Sequence, residues 1–168
     1  MRIRHLDASH ASAWHALRKR AVAEHPEAFL TSPAEEERTP LETVSRRLGS
    51  PASEAFVLGA FLEGAMVGTL GVLREAHEKA RHKALVWGVY VAPEARRRGV
   101  GRALFEAAIG RARDVGIERL NLAVKVDNAA ARALYQSMGF VSWGIERDSF
   151  RVDGRPIDEE YMVLVTSR

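Results

Sequence analysis

The residues best suited to chemistry form a turn in the second half of the chain, Arg96-Arg97-Arg98-Gly99-Val100-Gly101. A strand-like run, Val89-Tyr90-Val91, precedes this turn and a helical pattern follows it. Glycines between a strand and a helix let backbone amides approach a phosphate, and the helix N-terminus favours negative charge. The segment also fits an ordinary turn with solvated arginines. It is neither a Walker loop nor a dinucleotide fingerprint, because Arg102-Ala103 replaces the required lysine and hydroxyl pair and Leu104 replaces a third glycine.

A second group of polar residues lies on a predicted alanine-rich helix that begins at Asp127-Asn128. Seven residues at about 100° each bring Tyr135 to within about 20° of Asn128, roughly 10 Å along the same helix face. An amide at the helix start and a phenol two turns later suit an elongated ligand with a reactive end. Taken singly, Tyr135 also fits a core position beside Leu134 and Met138, and Asn128 fits a helix cap.

The two segments together resemble the GCN5-related N-acetyltransferase (GNAT) family over most of the chain. Arg96, Gly99 and Gly101 match the family's acetyl-CoA signature after its valine-rich strand. The later family signature is matched by Asn128, Ala131, Leu134, Tyr135, Gly139 and Phe140.

The resemblance implies an α+β, GNAT-like fold, in which residues 1–168 form a single domain. A mixed, mostly antiparallel sheet with flanking helices would be splayed between Val89–Val91 and Leu120–Val124. Acetyl-CoA would lie in the gap, paired with backbone groups of Val89 and Val91 and bonded along its arm by Asn128. Amides from Arg97 through Arg102 would hold its pyrophosphate. The cofactor-binding residues so implied are Val89, Tyr90, Val91, Arg96, Arg97, Arg98, Gly99, Val100, Gly101, Arg102 and Asn128.

The implied reaction is direct attack of a primary amine, on a small molecule or a protein, upon the thioester. The Val89 amide would stabilise negative charge on the carbonyl oxygen, and Tyr135 would be the general acid that protonates the leaving thiolate. The general base stays open, because Leu85 replaces the glutamate that some family members carry. Glu75, His82 and a water relay are the alternatives. A non-catalytic module that only binds acyl-CoA is the alternative function.

The rest of the chain supplies elements that must position these residues. Asp7 or Ser9 is predicted to cap a first helix with Ala13, Trp14, Leu17 and Ala21 on its apolar side, and Pro26 ends that helix. Ser32 and Thr39 are predicted caps of two further helices, the second of which closes at Gly49. The predicted strands are Ile3–Leu6, Phe56–Leu62, Ala65–Leu73, Ala84–Val91, Leu120–Val124, Val141–Val152 and Ile157–Val165, with tight turns at Glu63-Gly64 and Asp153-Gly154.

Composition narrows the function classes. With 168 residues, 46% hydrophobic and 28% charged, the chain is typical of one globular domain. The absence of cysteine excludes disulfides, thiolate metal sites and a cysteine acyl-enzyme. The N-terminus has no apolar signal core, and the longest apolar stretch, Ala84 to Ala92, is too short to span lipid, so we expect a cytoplasmic protein with no membrane partner.

Charge and histidine patterns predict no nucleic-acid partner and no metal. The net charge is only +3, and Arg18-Lys19-Arg20 is predicted to be a solvated helix face. His77-Glu78 and His82 have the wrong spacing for a zinc-binding helix. Glu35-Glu36-Glu37 either attracts a cationic acceptor or simply complements a helix dipole. We expect the acceptor to be a small-molecule or peptide amine, selected by the segment Glu24 to Pro40 and by the hairpin at Asp153-Gly154. A homodimer is also compatible with the sequence.

Overall fold

Seven strands and five α-helices make up the computed structural model of the protein, which describes residues 1–166. The strands are β1 (Arg2–His5), β2 (Ala55–Leu62), β3 (Ala65–Arg74), β4 (Lys83–Val91), β5 (Arg119–Lys125), β6 (Val141–Val152) and β7 (Arg155–Val165). The helices are α1 (Ala11–Glu24), α2 (Pro33–Arg38), α3 (Leu41–Leu48), α4 (Val100–Asp114) and α5 (Ala129–Ser137). Within the described chain, no helix is long and apolar enough to cross a membrane.

The strands form one mixed sheet in the order β1-β2-β3-β4-β5-β7-β6. Every neighbouring pair is antiparallel except β4 and β5, which are parallel. Two hairpins close at Glu63-Gly64 and Asp153-Gly154, where both central residues of each turn have positive φ. Such turns match the right-handed twist of the flanking strands. The predicted mixed, mostly antiparallel sheet is therefore confirmed.

The sheet opens between its two parallel strands. β4 and β5 pair only from Lys83 with Arg119 to Leu85 with Asn121, and they separate beyond that point. The register of β4 with β3 also shifts, from Trp87 opposite Gly71 to Tyr90 opposite Thr69, which places an extra residue in β4. Gly88, inside this bulge, has φ +62°, a conformation that glycine adopts without strain. The predicted splay is confirmed, and the bulge lies where the strands part.

Helix α1 packs its apolar side against the sheet, with two differences from the predicted pattern. Asp7 caps the short turn Ala8–His10 before α1 and exchanges hydrogen bonds with His10, but His10 is the N-cap of α1 itself, so neither Asp7 nor Ser9 caps this helix as predicted. Trp14, Leu17 and Ala21 are buried as predicted. Ala13 is exposed, because the helix turns that position toward solvent.

The two predicted caps after α1 have different outcomes. Ser32 caps α2 in the predicted capping box with Glu35. Thr39 does not cap α3: the N-cap is Pro40, and the Thr39 hydroxyl instead donates to the Glu35 carbonyl oxygen at 3.1 Å. The close succession of α2 and α3 brings this hydroxyl back onto the last turn of α2, which explains the difference.

Candidate active site

A cleft of about 820 Å³ lies where β4 and β5 diverge, walled by the start of α4 on one side and by α5 on the other. Of the residues predicted to bind cofactor or to act in catalysis, all but Arg98 line it. The segment after α1 closes one end of the cleft through His25, Glu27, Ala28 and Phe29. The structure thus brings together two sequence segments that are separated by a whole helix and a strand.

The N-terminus of α4 offers hydrogen-bond donors to this cleft. Gly99 is its N-cap with φ +77°, and no side chain caps the helix. The amide of Ala103 donates to the Gly99 carbonyl oxygen at 3.0 Å. The amides of Val100, Gly101 and Arg102 precede the first intrahelical bond, so they lack intrahelical acceptors. Together with the helix dipole they make an anion site at this end of the cleft.

Gly101 makes a close contact that the sequence did not reveal. A Cβ atom at this position would lie 2.9 Å from Cδ2 of Leu134 on α5. Glycine therefore lets the start of α4 pack closely against α5. Around Gly99, by contrast, a Cβ would meet no atom within 4 Å, and its positive φ explains the glycine there.

The arginines of the turn have different surroundings. Nε of Arg96 donates to the Val91 carbonyl oxygen at 3.0 Å, and its Nη2 lies 2.9 Å from Nε2 of His25. Nη2 of Arg102 donates to the Ser137 hydroxyl at 3.0 Å. Arg97 lines the cleft and forms no hydrogen bond or ion pair with residues 1–166. The exposed Arg98 does not line the cleft, because the neighbouring Arg97, at φ +58°, turns the backbone between them; that the Arg98 amide holds the pyrophosphate stays a prediction.

The edge of β4 that faces the cleft carries backbone groups that a ligand can reach. The Ala92 amide donates to the Val67 carbonyl oxygen of β3 at 2.8 Å. Because alternate residues of a strand direct their backbone groups to opposite neighbours, Val91 and Val89 face the cleft instead. The Val91 carbonyl oxygen already accepts from Arg96 and keeps one lone pair. Tyr90 lines the same wall, and its hydroxyl donates to Glu24 at 2.6 Å.

Asn128 and Tyr135 lie on one face of α5, as their spacing predicts, and both line the cleft. Oδ1 of Asn128 accepts from the Ala131 amide at 3.2 Å and caps the helix, so only its amide NH₂ is left for a ligand. Tyr135 is 7% exposed, between Phe105 and Phe140 at ring distances of 5.1 and 6.1 Å. Burial raises the pKa of its phenol above the ordinary value, and its hydroxyl bonds to none of residues 1–166. The ring is thus both a core residue and part of the cleft wall.

The two side chains considered as general bases are far from this site. Glu75 and His82 precede β4, whereas Val89 lies seven residues further along the strand, roughly 20 Å away. Neither lines the cleft. Direct proton abstraction by Glu75 or His82 is therefore excluded by geometry. The polar side chains that line the cleft include His25, Glu27 and Asp127, the last paired with Lys125 at 3.1 Å.

A buried charged cluster beside the cleft was missed by the sequence analysis. Arg18, predicted to be solvated, is 6% exposed, and its Nε contacts Oε2 of Glu36 at 3.3 Å. Glu36, only 3% exposed, thus belongs to an ion pair and not to a solvated acidic run. Arg18 lies four residues after Trp14, which places both on the buried side of α1 and is the one signal that the sequence offered.

This cluster lies next to the part of the cleft that Val89 and Phe29 line. The guanidinium of Arg18 stacks over Phe29, with a centroid distance of 4.7 Å, and over Trp87, with 5.8 Å. Its Nη1 lies 3.3 Å from the position that a Cβ of Gly88 would occupy, so it contacts the bulge of β4 directly. We call Arg18, Glu36, Phe29 and Trp87 the bulge cluster.

Comparison with known proteins agrees with this geometry. Residues 14–140 match the model of the acetyltransferase (GNAT) family. The chain belongs to this family. It is 34% identical over 139 residues to a mycothiol acetyltransferase from Thermobispora bispora, an alignment that covers 80% of the chain but only 44% of that relative. The chain therefore spans less than half the length of this curated relative.

Two solved structures have the same fold over nearly their whole length. A ribosomal-protein-alanine N-acetyltransferase from Brucella melitensis is 28% identical, with a TM-score of 0.79 and coverage of 98% of this chain and 99% of that one. A putative acetyltransferase from Salmonella typhimurium, described with its cofactor acetyl-CoA, is 24% identical, with a TM-score of 0.84 and coverage of 100% and 95%. The predicted GNAT-like fold is confirmed.

Proposed function

We propose that residues 1–168 act as one acetyltransferase domain that transfers acetyl from acetyl-CoA to a primary amine. The observation that carries the proposal is the cleft itself: one end presents the uncapped start of α4, and the other presents the buried phenol of Tyr135. A GNAT family match across residues 14–140 supports the same assignment.

The cleft fits acetyl-CoA group by group. The free amides of Val100, Gly101 and Arg102, with the unpaired Arg97, suit its pyrophosphate. Backbone groups of Val89 and Val91 suit the amides of its pantetheine arm, as in the addition of a strand to a sheet edge. The remaining NH₂ group of Asn128 suits a carbonyl oxygen of the arm. When bound, acetyl-CoA supplies an activated acetyl group.

Two groups of this chain then serve the transfer. The Val89 amide donates to the acetyl carbonyl oxygen, where negative charge develops. Tyr135 donates its hydroxyl proton toward the sulfur as the carbon–sulfur bond weakens. The raised pKa keeps this phenol protonated at neutral pH, so the donor is always available. Because neither Glu75 nor His82 lines the cleft, the water relay is the one of the three predicted alternatives that fits these positions for removal of the amine proton.

The acceptor is a small-molecule or peptide amine. The relatives are named for acetylation of a small molecule, mycothiol, and of an alanine on a ribosomal protein, so both kinds of acceptor occur among proteins similar to this one. The segment after α1, which closes the cleft through Phe29, is where acceptor selection is expected. A homodimer stays a prediction.

Acetyl-CoA binding tests the cleft assignment. At a concentration of 100 Kd, a ligand specific for the folded state adds about 2.7 kcal/mol, which corresponds to a rise in Tm of roughly 5 to 10 °C. Arg97→Gln should weaken binding roughly 5- to 10-fold in calorimetry, because it removes a charged donor to phosphate. Arg98→Gln is the matched control, since the Arg98 side chain lies outside the cleft, and should stay within about twofold. Equal losses in both variants, or no binding to the wild type, would contradict the assignment.

A further inference from the structure

Two buried side-chain atoms among residues 1–166 have no hydrogen-bond partner, and both belong to the bulge cluster. They are Nη1 of Arg18 and Oε1 of Glu36. Oε1 lies 3.7 Å from Nε2 of His15, so a nearby donor accounts for it. Nη1 has no such neighbour. Unpaired buried donors are rare in native proteins because each loses its hydration without compensation, so this one needs an explanation.

Arg18 does not itself line the cleft, but its unpaired donor lies behind two parts of the wall, Phe29 and the bulge before Val89, where we place the acceptor amine. It contacts the bulge at Gly88, one residue before Val89, whose amide we assign to the acetyl carbonyl oxygen. Phe29, which lines the cleft, covers the guanidinium on one side, and Trp87 covers it on another. Consecutive Cα atoms are about 3.8 Å apart, so the bulge that Nη1 approaches lies one residue along the chain from the Val89 amide.

A second arginine converges on the same place. The guanidinium of Arg47, on α3, lies 5.5 Å from the centroid of the Trp87 indole. Burial lowers the pKa of Arg18, and the positive charge of Arg47 lowers it further, whereas Glu36 raises it. Among the residues that the structure describes, Arg47 forms no ion pair. Two guanidinium groups therefore lie near one indole ring, and among the described residues Glu36, bound to Arg18, is the one carboxylate that pairs with either of them, which leaves an excess of positive charge.

Packing on two sides holds the Trp87 indole, near which the guanidinium groups of Arg18 and Arg47 lie. The Trp87 indole packs edge-on against Trp14 at 6.0 Å, and Trp14 donates its Nε1 proton to the Thr69 hydroxyl at 2.8 Å. Gly71 provides the room, because a Cβ there would lie 2.3 Å from the Trp87 ring. A fixed aromatic surface with two guanidinium groups holds an anion in one orientation, since both cations act from defined positions.

We propose that Arg18 and Arg47 form an anion subsite above Trp87 that binds a carboxylate of the acceptor, so that the acceptor is an amine bearing its own carboxylate, of the amino-acid class. This inference rests on the proposed function and adds the chemical class of the acceptor. The carboxylate takes the space between the two guanidinium groups, satisfies Nη1 of Arg18, and orients the amine toward the bulge. Because Nη1 is buried, Phe29 shifts when the acceptor enters.

The test compares amino acids with their own carboxamides, which keep the amine and lose the charge. Protein saturated with CoA is titrated by calorimetry with a panel of L-amino acids and the matching carboxamides, and acetyl transfer is followed by CoA release. We expect at least one amino acid to bind and react roughly 10- to 100-fold better than its carboxamide, the range for a hydrogen bond to a charged group.

Variants on α3 localise the effect without disturbing the core. Arg47→Gln should remove most of the preference for the carboxylate, whereas Arg46→Gln, at an exposed neighbouring position, should keep it. Arg18→Lys tests the buried arginine by the same comparison of acid and carboxamide, in a variant whose Tm still rises with acetyl-CoA. Equal use of acid and amide, a preference that survives Arg47→Gln, or no binding of any panel member would overturn the subsite. Failure to bind acetyl-CoA itself would instead overturn the proposed function.

Discussion

Replacement of Tyr135 by phenylalanine separates the structural role of the ring from the chemical role of its hydroxyl. The ring packs between Phe105 and Phe140, and phenylalanine preserves this contact. Because the hydroxyl bonds to none of the described residues, its removal breaks no protein hydrogen bond. We expect the free energy of unfolding to change by less than about 0.5 kcal/mol, or roughly 2 °C in Tm.

The chemical step should respond much more strongly. The sulfur of a free thiolate has a pKa near 8.5, well below that of a phenol, and burial raises the pKa of Tyr135 further. Full proton transfer early in the reaction is therefore uphill, and the phenol contributes by donating a hydrogen bond as charge builds on sulfur. Loss of such a donor should lower the rate by roughly tenfold to a thousandfold, while acetyl-CoA affinity changes little.

Single-turnover measurement is the appropriate assay, because slow product release can hide the chemical step in steady state. Tyr161→Phe serves as a control, since Tyr161 lies on β7 and does not line the cleft. A Tyr135→Phe variant that transfers acetyl at the wild-type rate would refute the general-acid role. A large loss of acetyl-CoA affinity with normal transfer would make Tyr135 a binding residue.

Three further predictions concern packing, pH and specificity. Gly101→Val should lose stability as well as acetyl-CoA binding, because its side chain meets Leu134, so chemical denaturation should show a lower midpoint than for wild type. Hydrogen bonds from Arg20 lower the pKa of Glu94 from 4.5 to about 2, so this pair contributes stability above pH 4.5 that is lost as the pH falls toward 2. In an acid titration, Arg20→Gln should lose less stability than the wild type between pH 4.5 and pH 2. An unchanged loss would exclude the pair as its source. Exchange of residues 25–40 with those of a related enzyme should change the acceptor profile more than the acetyl-CoA Kd, and a change in Kd alone would place acceptor selection elsewhere.

The cofactor half of the site could be predicted from the sequence because its geometry is local. The turn before α4 is set by glycine conformation and by the free amides of one helix start, and the spacing of Asn128 and Tyr135 is fixed by helical periodicity. Both segments line the same cleft as predicted. The sequence could not show that the Gly101 position is limited by Leu134, because that contact joins two helices.

The proposed acceptor subsite depends on long-range packing, and the sequence did not predict most of it. The burial of Arg18 follows from the arrival of Phe29 and Glu36 against α1, and no local pattern reports that contact. Glu75 and His82 were candidates for the base because they precede β4 in the sequence. The length of β4 separates them from Val89, near the other end of the strand. Distances across a fold decide such assignments, and sequence proximity does not.

Transfer of acetyl from acetyl-CoA to an amine nitrogen is the reaction that we propose for this chain. Mass spectrometry can detect it in a reaction with isotopically labelled acetyl-CoA and a mixture of amino acids, polyamines and peptides. We expect a labelled N-acetyl product formed with an equal amount of free CoA. Binding of acetyl-CoA without any labelled amine product across the mixture would contradict the claim and identify the chain as a module that only binds acyl-CoA.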